Sequence, residues 1–130
     1  MNTIFKNLIL ACGICCIFSS VVFGDSSIKR HFDRDSNYTG YSKKRPDDST
    51  TKYYDRNSNY TGHSHSEDSK TKYYNSKENY TGYSITDPNR STTKYYDRNS
   101  SYTGYSTTDK SGKTRFYDKK GNYTGYHSDK

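Results

Sequence analysis

The chain has 130 residues, of which 21 are basic and 14 acidic, and only 28% are hydrophobic. Every Val, Leu, Ala and Cys lies within the first 24 residues, so the rest of the chain cannot build an aliphatic core. Only Ile28 and Ile85 remain there, beside all 16 tyrosines. Whatever core forms after residue 24 must therefore be aromatic.

The first 24 residues predict a secretory signal peptide. Lys6 precedes a largely apolar run, Leu8 to Val22, and Val22-Phe23-Gly24 supplies a cleavage sequence ending at Gly24. A transmembrane anchor is the alternative, but it needs roughly 20 apolar residues. Lipoprotein processing is a third reading, because Ile9-Leu10-Ala11-Cys12 resembles a lipobox. We expect a secreted or periplasmic protein with no stable membrane insertion after cleavage.

The expected mature chain, residues 25–130, is one domain without cysteine. Cys12, Cys15 and Cys16 all lie in the signal, which excludes disulfides and thiol chemistry from the domain. Without Lys6, 20 basic residues face 14 acidic ones, a net charge of +6. The two signs are interleaved along the chain, as is typical of a solvated surface.

Five copies of one motif fill this domain, at about residues 30–42, 52–64, 72–84, 94–106 and 115–127. The second copy reads KYYDRNSNYTGHS. The Tyr of the Tyr-Thr-Gly tripeptide recurs every 20 to 22 residues, at Tyr38, Tyr60, Tyr80, Tyr102 and Tyr123. A period in this range indicates a repeat architecture. The distance from the second aromatic to this Tyr is always six residues, whereas the spacer after the motif varies, which predicts hairpins joined by loops.

Each copy predicts a β-hairpin, so the fold class is all-β. Aromatic and Thr residues favour strands, and the Asp-Arg-Asn-Ser centre favours a turn. We expect a four-residue loop from Asp55 to Ser58, with Tyr54 opposite Asn59 and Tyr53 opposite Tyr60. Directly opposed residues share a face.

This register places Tyr53, Tyr60 and Gly62 on one face, with room over the glycine for an aromatic of a neighbouring unit. In the loop, the Asp55 side chain should accept hydrogen bonds from downstream amides, and Asn57 could adopt a left-handed backbone. Gly121, at the fourth loop position of the last copy, suits a type I turn followed by a glycine bulge.

One hairpin is marginally stable by itself, so the five must pack as a closed ring or as a short stack. A ring leaves no free edges, and no copy looks like a capping repeat. Disorder is the alternative, since the chain is polar and poor in aliphatic residues. The constant six-residue spacing favours a folded domain.

The motif resembles two known kinds of repeat. It is most similar to the Tyr-Asp-x-x-Gly-x-x-x-Gly repeats of small bacterial secreted proteins of the β-flower type, from Tyr54-Asp55 to Gly62 and its equivalents. That resemblance implies hairpins around a central pseudo-symmetry axis and no assigned activity. A weaker resemblance is to the aromatic repeats of choline- and glucan-binding proteins, which use Trp for their ligand cages, whereas this chain has no Trp.

No catalytic constellation is evident, so we expect a protein that is not an enzyme and needs no cofactor. The recurring turn aspartates and the pair His63 and His65 are expected to be structural or surface residues, without a metal. Six Asn-x-Ser/Thr sequons occur, whose glycosylation depends on a source that the sequence does not give. Basic residues among tyrosines also suit single-stranded nucleic acid, but export argues against it.

The expected function is that of a secreted structural or interaction module. The alternative is a carbohydrate- or cell-wall-binding module, and a third is a matrix protein cross-linked through Tyr. The partner would be a cell-wall polysaccharide or another extracellular protein. The candidate ligand-stacking or core aromatics are Tyr38, Tyr60, Tyr80, Tyr102, Tyr123, Tyr53, Tyr73, Tyr95 and Phe116.

Overall fold

The structure, a computed structural model, describes residues 26–46 and 48–129, and of Asp129 it describes the backbone alone. The predicted signal peptide and its cleavage position lie outside the described residues. Within them the chain forms ten strands and no helix, so no helix there could cross a membrane. The strands are β1 (Ser27–Asp33), β2 (Tyr38–Lys44), β3 (Thr50–Asp55), β4 (Tyr60–Glu67), β5 (Lys70–Asn75), β6 (Tyr80–Asp87), β7 (Thr92–Asp97), β8 (Tyr102–Thr108), β9 (Thr114–Asp118) and β10 (Tyr123–Asp129).

The ten strands form one closed antiparallel barrel in which each strand pairs with its neighbours in sequence. The two ends of the chain close it, because β1 pairs with β10 from Lys29↔Asp129 to Asp33↔Gly125. Each copy of the motif is one hairpin, and the spacers connect successive hairpins at the opposite end of the barrel. The prediction of five hairpins is confirmed, and they form a closed ring rather than an open stack.

The same five-residue turn closes every hairpin. In the second copy, the Asp55 amide donates to the Asn59 carbonyl and the Ser58 amide donates to the Asp55 carbonyl, both at 3.0 Å. Ser58 takes the left-handed position with φ of 65°, rather than Asn57, for which the sequence analysis had considered it. Gly121 occupies the same position with φ of 85°, which confirms the type I turn with a bulge residue.

The turn contains three loop residues instead of four, and this overturns the predicted register. The residue pair nearest the turn is Tyr54↔Tyr60, and the next is Tyr53↔Gly62, because Thr61 is an extra residue in a β-bulge. A shift of one residue moves a side chain to the other face of a sheet. Tyr60 therefore lies on the same face as Tyr54, and the predicted face shared by Tyr53 and Tyr60 does not exist.

The glycine after each bulge is needed because the backbone of the next hairpin passes close by. Gly82 has φ of +153°, and a Cβ there would overlap the carbonyl oxygen of Tyr96 and lie 3.1 Å from the Cα of Asp97. The sequence predicted a neighbouring aromatic ring over this glycine. The neighbour is indeed in the next unit, but it is main chain.

The interior of the barrel is aromatic and polar. No large apolar side chain among the described residues is buried; the buried side chains are Ser42, Ser64, Ser84, Ser106 and Thr114. Beside these serines lies a ring of half-buried side chains, one from each copy, which we call the lumen ring: His31, Tyr53, Tyr73, Tyr95 and Phe116. The lumen is therefore lined by aromatic rings, although none of these rings is fully buried.

Candidate functional site

The structure divides the nine predicted aromatics between two places. Tyr53, Tyr73, Tyr95 and Phe116 face the lumen, where successive ring centroids are 6.0 to 6.5 Å apart. The tyrosines of the Tyr-Thr-Gly tripeptides lie on the outside of the barrel and are 37 to 39% exposed: Tyr38, Tyr60, Tyr80, Tyr102 and Tyr123. Core and surface roles therefore belong to different positions of the motif.

In the three central copies, each lumen tyrosine is hydrogen-bonded to the inward serine of its own hairpin. The Tyr53 hydroxyl lies 2.9 Å from Ser64 Oγ, and the Tyr73–Ser84 and Tyr95–Ser106 pairs are at 3.0 Å. Burial raises the pKa of Tyr53 to about 12, and the neighbouring Tyr73 adds to this, while the bond to Ser64 opposes it. These tyrosines stay protonated at neutral pH.

The first and last copies differ at these same positions, and barrel closure makes the differences neighbours. His31 replaces the first lumen tyrosine and His127 replaces the last inward serine. The two residues are paired across β1 and β10, with ring centroids 5.4 Å apart in an edge-to-face arrangement. They line a cavity of about 520 Å³ together with Lys29 and the tyrosines of the lumen ring.

On the outside, aromatic rings gather in five clusters of three, which we call the outer clusters. In each cluster the second aromatic of one hairpin stacks on the ring that follows the motif glycine in the preceding hairpin, as Tyr96 does on Tyr83, with centroids 4.8 Å apart and an interplanar angle of 13°. The exposed tyrosine of its own hairpin, Tyr102, packs edge-on at 5.9 Å. The other clusters are Tyr41–Tyr54–Tyr60, His63–Tyr74–Tyr80, Tyr105–Tyr117–Tyr123 and Tyr126–Phe32–Tyr38.

Two of the exposed tyrosines, Tyr80 and Tyr102, line grooves between neighbouring turns, which we call the rim grooves. One groove of about 650 Å³ lies between the third and fourth hairpins and is lined by Asn75, Asn79, Tyr80, Thr81, Asp97, Arg98 and Asn99. The next, of about 440 Å³, is lined by Asp97, Ser101, Tyr102, Thr103, Asp118, Lys119, Lys120 and Asn122. Each groove therefore combines a tyrosine of one hairpin with polar turn side chains of both.

The carboxylates in these grooves accept hydrogen bonds from amides of their own turns. Asp97 Oδ1 accepts the amides of Asn99 at 2.8 Å and Ser101 at 2.9 Å. Asp118 is held the same way, and the side-chain amide of Asn122 lowers its pKa, with its backbone amide contributing next. These carboxylates shape the turn and keep acceptor capacity for a ligand.

Two other predicted features have structural explanations. The sequon residue Asn59 donates its side-chain amide to Asp55 Oδ2 at 3.0 Å, and Asn37 and Asn122 do the same in their turns, so the recurrence of these asparagines reflects turn chemistry. His65 is hydrogen-bonded to Ser49. No group of three metal-ligating side chains occurs in the described part of the chain.

The rim grooves and the histidine pair were missed from the sequence. The grooves depend on the true register, which brings a turn of one hairpin beside the exposed tyrosine of the preceding one. The sequence did contain a signal for both histidines. At the motif position of His31 every other copy has Tyr or Phe, and at that of His127 every other copy has Ser.

The comparisons with known proteins give no relative. No family model, no curated protein and no solved structure matches the chain.

Proposed function

We propose that the protein is a non-enzymatic carbohydrate-binding module whose rim grooves hold sugar rings. The observation that carries this proposal is the groove between the third and fourth hairpins. There the exposed ring of Tyr80 lies beside the side chains of Asn75, Asn79 and Asn99. The next groove combines Tyr102 with Asn122 and with charged turn side chains.

The groove chemistry suits a saccharide. An aromatic ring offers an apolar face to the CH groups of a sugar, and a tyrosine adds a hydroxyl that can hydrogen-bond. Amide side chains carry both donors and acceptors, which match the sugar hydroxyls. A site of a few convergent polar groups around an aromatic surface is the usual form of a small-molecule subsite.

Two neighbouring rim grooves on one barrel favour a polymer as the ligand. A weak single site becomes an effective one when a polymer occupies several sites together, because each further contact is intramolecular. A polysaccharide repeats its own sugar units, so it can engage both rim grooves together. This proposal adopts the carbohydrate alternative weighed from the sequence and places it on the outer tyrosines rather than on the lumen ring.

The test is co-sedimentation of the mature domain, residues 25–130, with insoluble polysaccharides: cellulose, chitin, β-glucan, pectin and isolated peptidoglycan. Replacing all five exposed tyrosines by Ser should reduce the bound fraction at least tenfold on the polymer that binds best. Ile28→Ser with Ile85→Ser is the matched control, since these residues are 39% and 44% exposed away from the grooves. Binding to none of the polymers, or equal loss in both variants, would exclude the proposal.

A further inference from the structure

The positive charge of the protein is not spread evenly over the barrel. The five turns contain six cations, Arg34, Arg56, Lys77, Arg98, Lys119 and Lys120, and six acidic residues, Asp33, Asp35, Asp55, Glu78, Asp97 and Asp118. The turn end is therefore neutral overall. The excess of basic residues lies on the strands and spacers.

On the strands, the excess forms a belt around the outside. The residue before each member of the lumen ring points outward, because neighbouring residues of a strand face opposite sides. In every copy this residue is Lys or Arg, and we call the set the cation belt: Arg30, Lys52, Lys72, Lys94 and Arg115. Four of the five are exposed, and Arg115 is half-buried.

Each belt cation lies directly beside an outer cluster. Lys72 pairs with Tyr83, Lys94 with Tyr105 and Arg115 with Tyr126, and the paired ring then stacks on the next strand. Directly opposed side chains have Cβ atoms roughly 4.5–5.5 Å apart. Each oblique row across the barrel therefore runs from a cation over three rings to an exposed tyrosine. The rows that begin at Lys52 and Lys72 end at the two rim grooves.

Few acidic side chains lie near the cation belt to neutralise it. Of its members only Arg115 has an ion pair among the described residues, with Asp109 at 2.8 Å. Among the described side chains, acidic residues on the outward face of the strands occur only where β4 and β6 end, at Glu67 and Asp87. Two further ammonium groups lie over cluster rings, Lys70 at 4.5 Å from the Tyr83 centroid and Lys113 at 3.8 Å from that of Tyr126.

We propose that the cation belt selects an acidic polysaccharide, one whose sugar rings carry carboxylate or sulfate groups. This inference rests on the proposed function and names its ligand class. A sugar in a rim groove and an acidic group at the belt are separated by three strand spacings, about 14 Å at roughly 4.8 Å per strand. A chain of several sugars lying along one oblique row spans that distance and brings its anionic groups to an unpaired ammonium.

The experiment compares polymers that differ only in charge, by affinity electrophoresis of the mature domain. The probes are polygalacturonate against its methyl ester, and dextran sulfate against dextran. We expect at least tenfold tighter binding to one charged polymer of these pairs than to its neutral partner, and loss of that preference as salt rises, because exposed charges are screened within about 10 Å at 0.1 M.

The belt is tested by Lys52→Gln, Lys72→Gln and Lys94→Gln together. The control is Arg45→Gln, Arg90→Gln and Lys110→Gln, which removes the same charge from exposed spacer positions. The belt variant should lose about tenfold in affinity for the charged polymer, and the control no more than about threefold. Equal loss in both variants would overturn the inference.

The outcomes separate the two proposals. In one outcome, the domain binds neutral and charged polymers equally tightly, and only the tyrosine variant loses binding. This would support the carbohydrate-binding function and exclude an acidic polysaccharide as the specific ligand. If the tyrosine variant binds charged polymers as tightly as the wild type does, both proposals are excluded, because a simple polyanion site would explain the binding. Equally tight binding of poly-uridylate, with the same dependence on the belt, would also overturn the inference.

Discussion

At the scale of single residues, the motif glycine is determined by main chain and not by side-chain packing. At Gly82 the carbonyl of Tyr96 occupies the space of a Cβ, and the φ of +153° is one that other residues rarely adopt. Both constraints arise from the bulge that places Thr81 as an extra residue opposite β5. The same geometry recurs at Gly40, Gly62, Gly104 and Gly125.

Gly82→Ala should therefore destabilise the barrel by more than the roughly 1–3 kcal/mol of ordinary overpacking, because carbonyl overlap and backbone strain act together. The control is Gly121→Ser. Nothing lies within 4 Å of a Cβ at Gly121, and Ser58 has the equivalent conformation in another copy. Urea unfolding of the mature domain gives both values. Equal midpoints would show that the β6–β7 backbones are not in close contact at Gly82.

The lumen tyrosines are predicted to contribute through their hydroxyls as well as their rings. In Tyr53→Phe the buried Ser64 hydroxyl loses its partner, which should cost about 1–3 kcal/mol in the free energy of unfolding. Adding Ser64→Ala should recover part of this loss, since no polar group is then left unpaired. A double-mutant cycle by urea unfolding measures the coupling, and additive effects would contradict the bond.

At the scale of one hairpin, the turn depends on the side chain of its first residue. Asp55 Oδ1 accepts the amides of Asn57 and Asn59, both at 2.9 Å, and the side-chain amide of Asn59 is the main cause of the lowered Asp55 pKa. In the third copy an amide oxygen does the same, since Asn75 Oδ1 accepts the amide of Lys77 at 2.9 Å. The turn therefore needs an acceptor more than a charge.

Asp55→Ala should lower the urea midpoint more than Asp55→Asn does. The pH dependence separates the two further. Because the folded pKa of Asp55 lies below its usual value of 3.8, its carboxylate stabilises the fold above that value, and the contribution is lost as pH falls through the folded pKa. We expect Asp55→Asn to lose less stability than wild type between pH 5 and pH 2, and equal losses would contradict the assignment.

The hairpin is also where sequence reasoning succeeded and then stopped. The constant six-residue spacing predicted five hairpins, and the Asp-Arg-Asn-Ser centre predicted the aspartate-capped turn, because both depend on residues close in sequence. The register could not be derived, since both the αL residue Ser58 and the extra residue Thr61 shift it. Neither has a side chain that demands the shift, so Tyr60 was placed on the wrong face. The rim grooves could not be predicted, because they depend on the correct face for the exposed tyrosines.

At the scale of the whole molecule, the barrel has one junction unlike the others. Every other strand pair is joined by a turn or a spacer, whereas β1 and β10 belong to opposite ends of the chain. This junction brings His31 beside His127 in the lumen, and the ring atom Nε2 of His31 is shielded from solvent without a hydrogen-bond partner among the described residues.

Acid should therefore weaken the barrel at this junction. Burial, and next the charge of Lys29, lower the pKa of His31 from 6.5. The unfolded chain consequently binds a proton at His31 more readily than the barrel does, so stability is full above about pH 6.5 and falls as pH drops through the folded pKa. His127 faces His31, Tyr53 lies 6.3 Å away between ring centroids, and Lys29 pairs with Asp129 in the ladder.

We expect His31→Phe, which keeps a ring in the lumen as Phe116 does, to lose less stability than wild type between pH 7.5 and pH 5. His65→Phe, at an exposed position, should follow the wild-type pH profile. Urea midpoints at both pH values give the comparison, and amide exchange of β1 and β10 locates the change, because opening should begin at the only strand pair without a covalent connection. If His31→Phe and wild type lose equal stability, or if exchange rises first in β5 and β6, the junction is not the acid-sensitive part of the barrel.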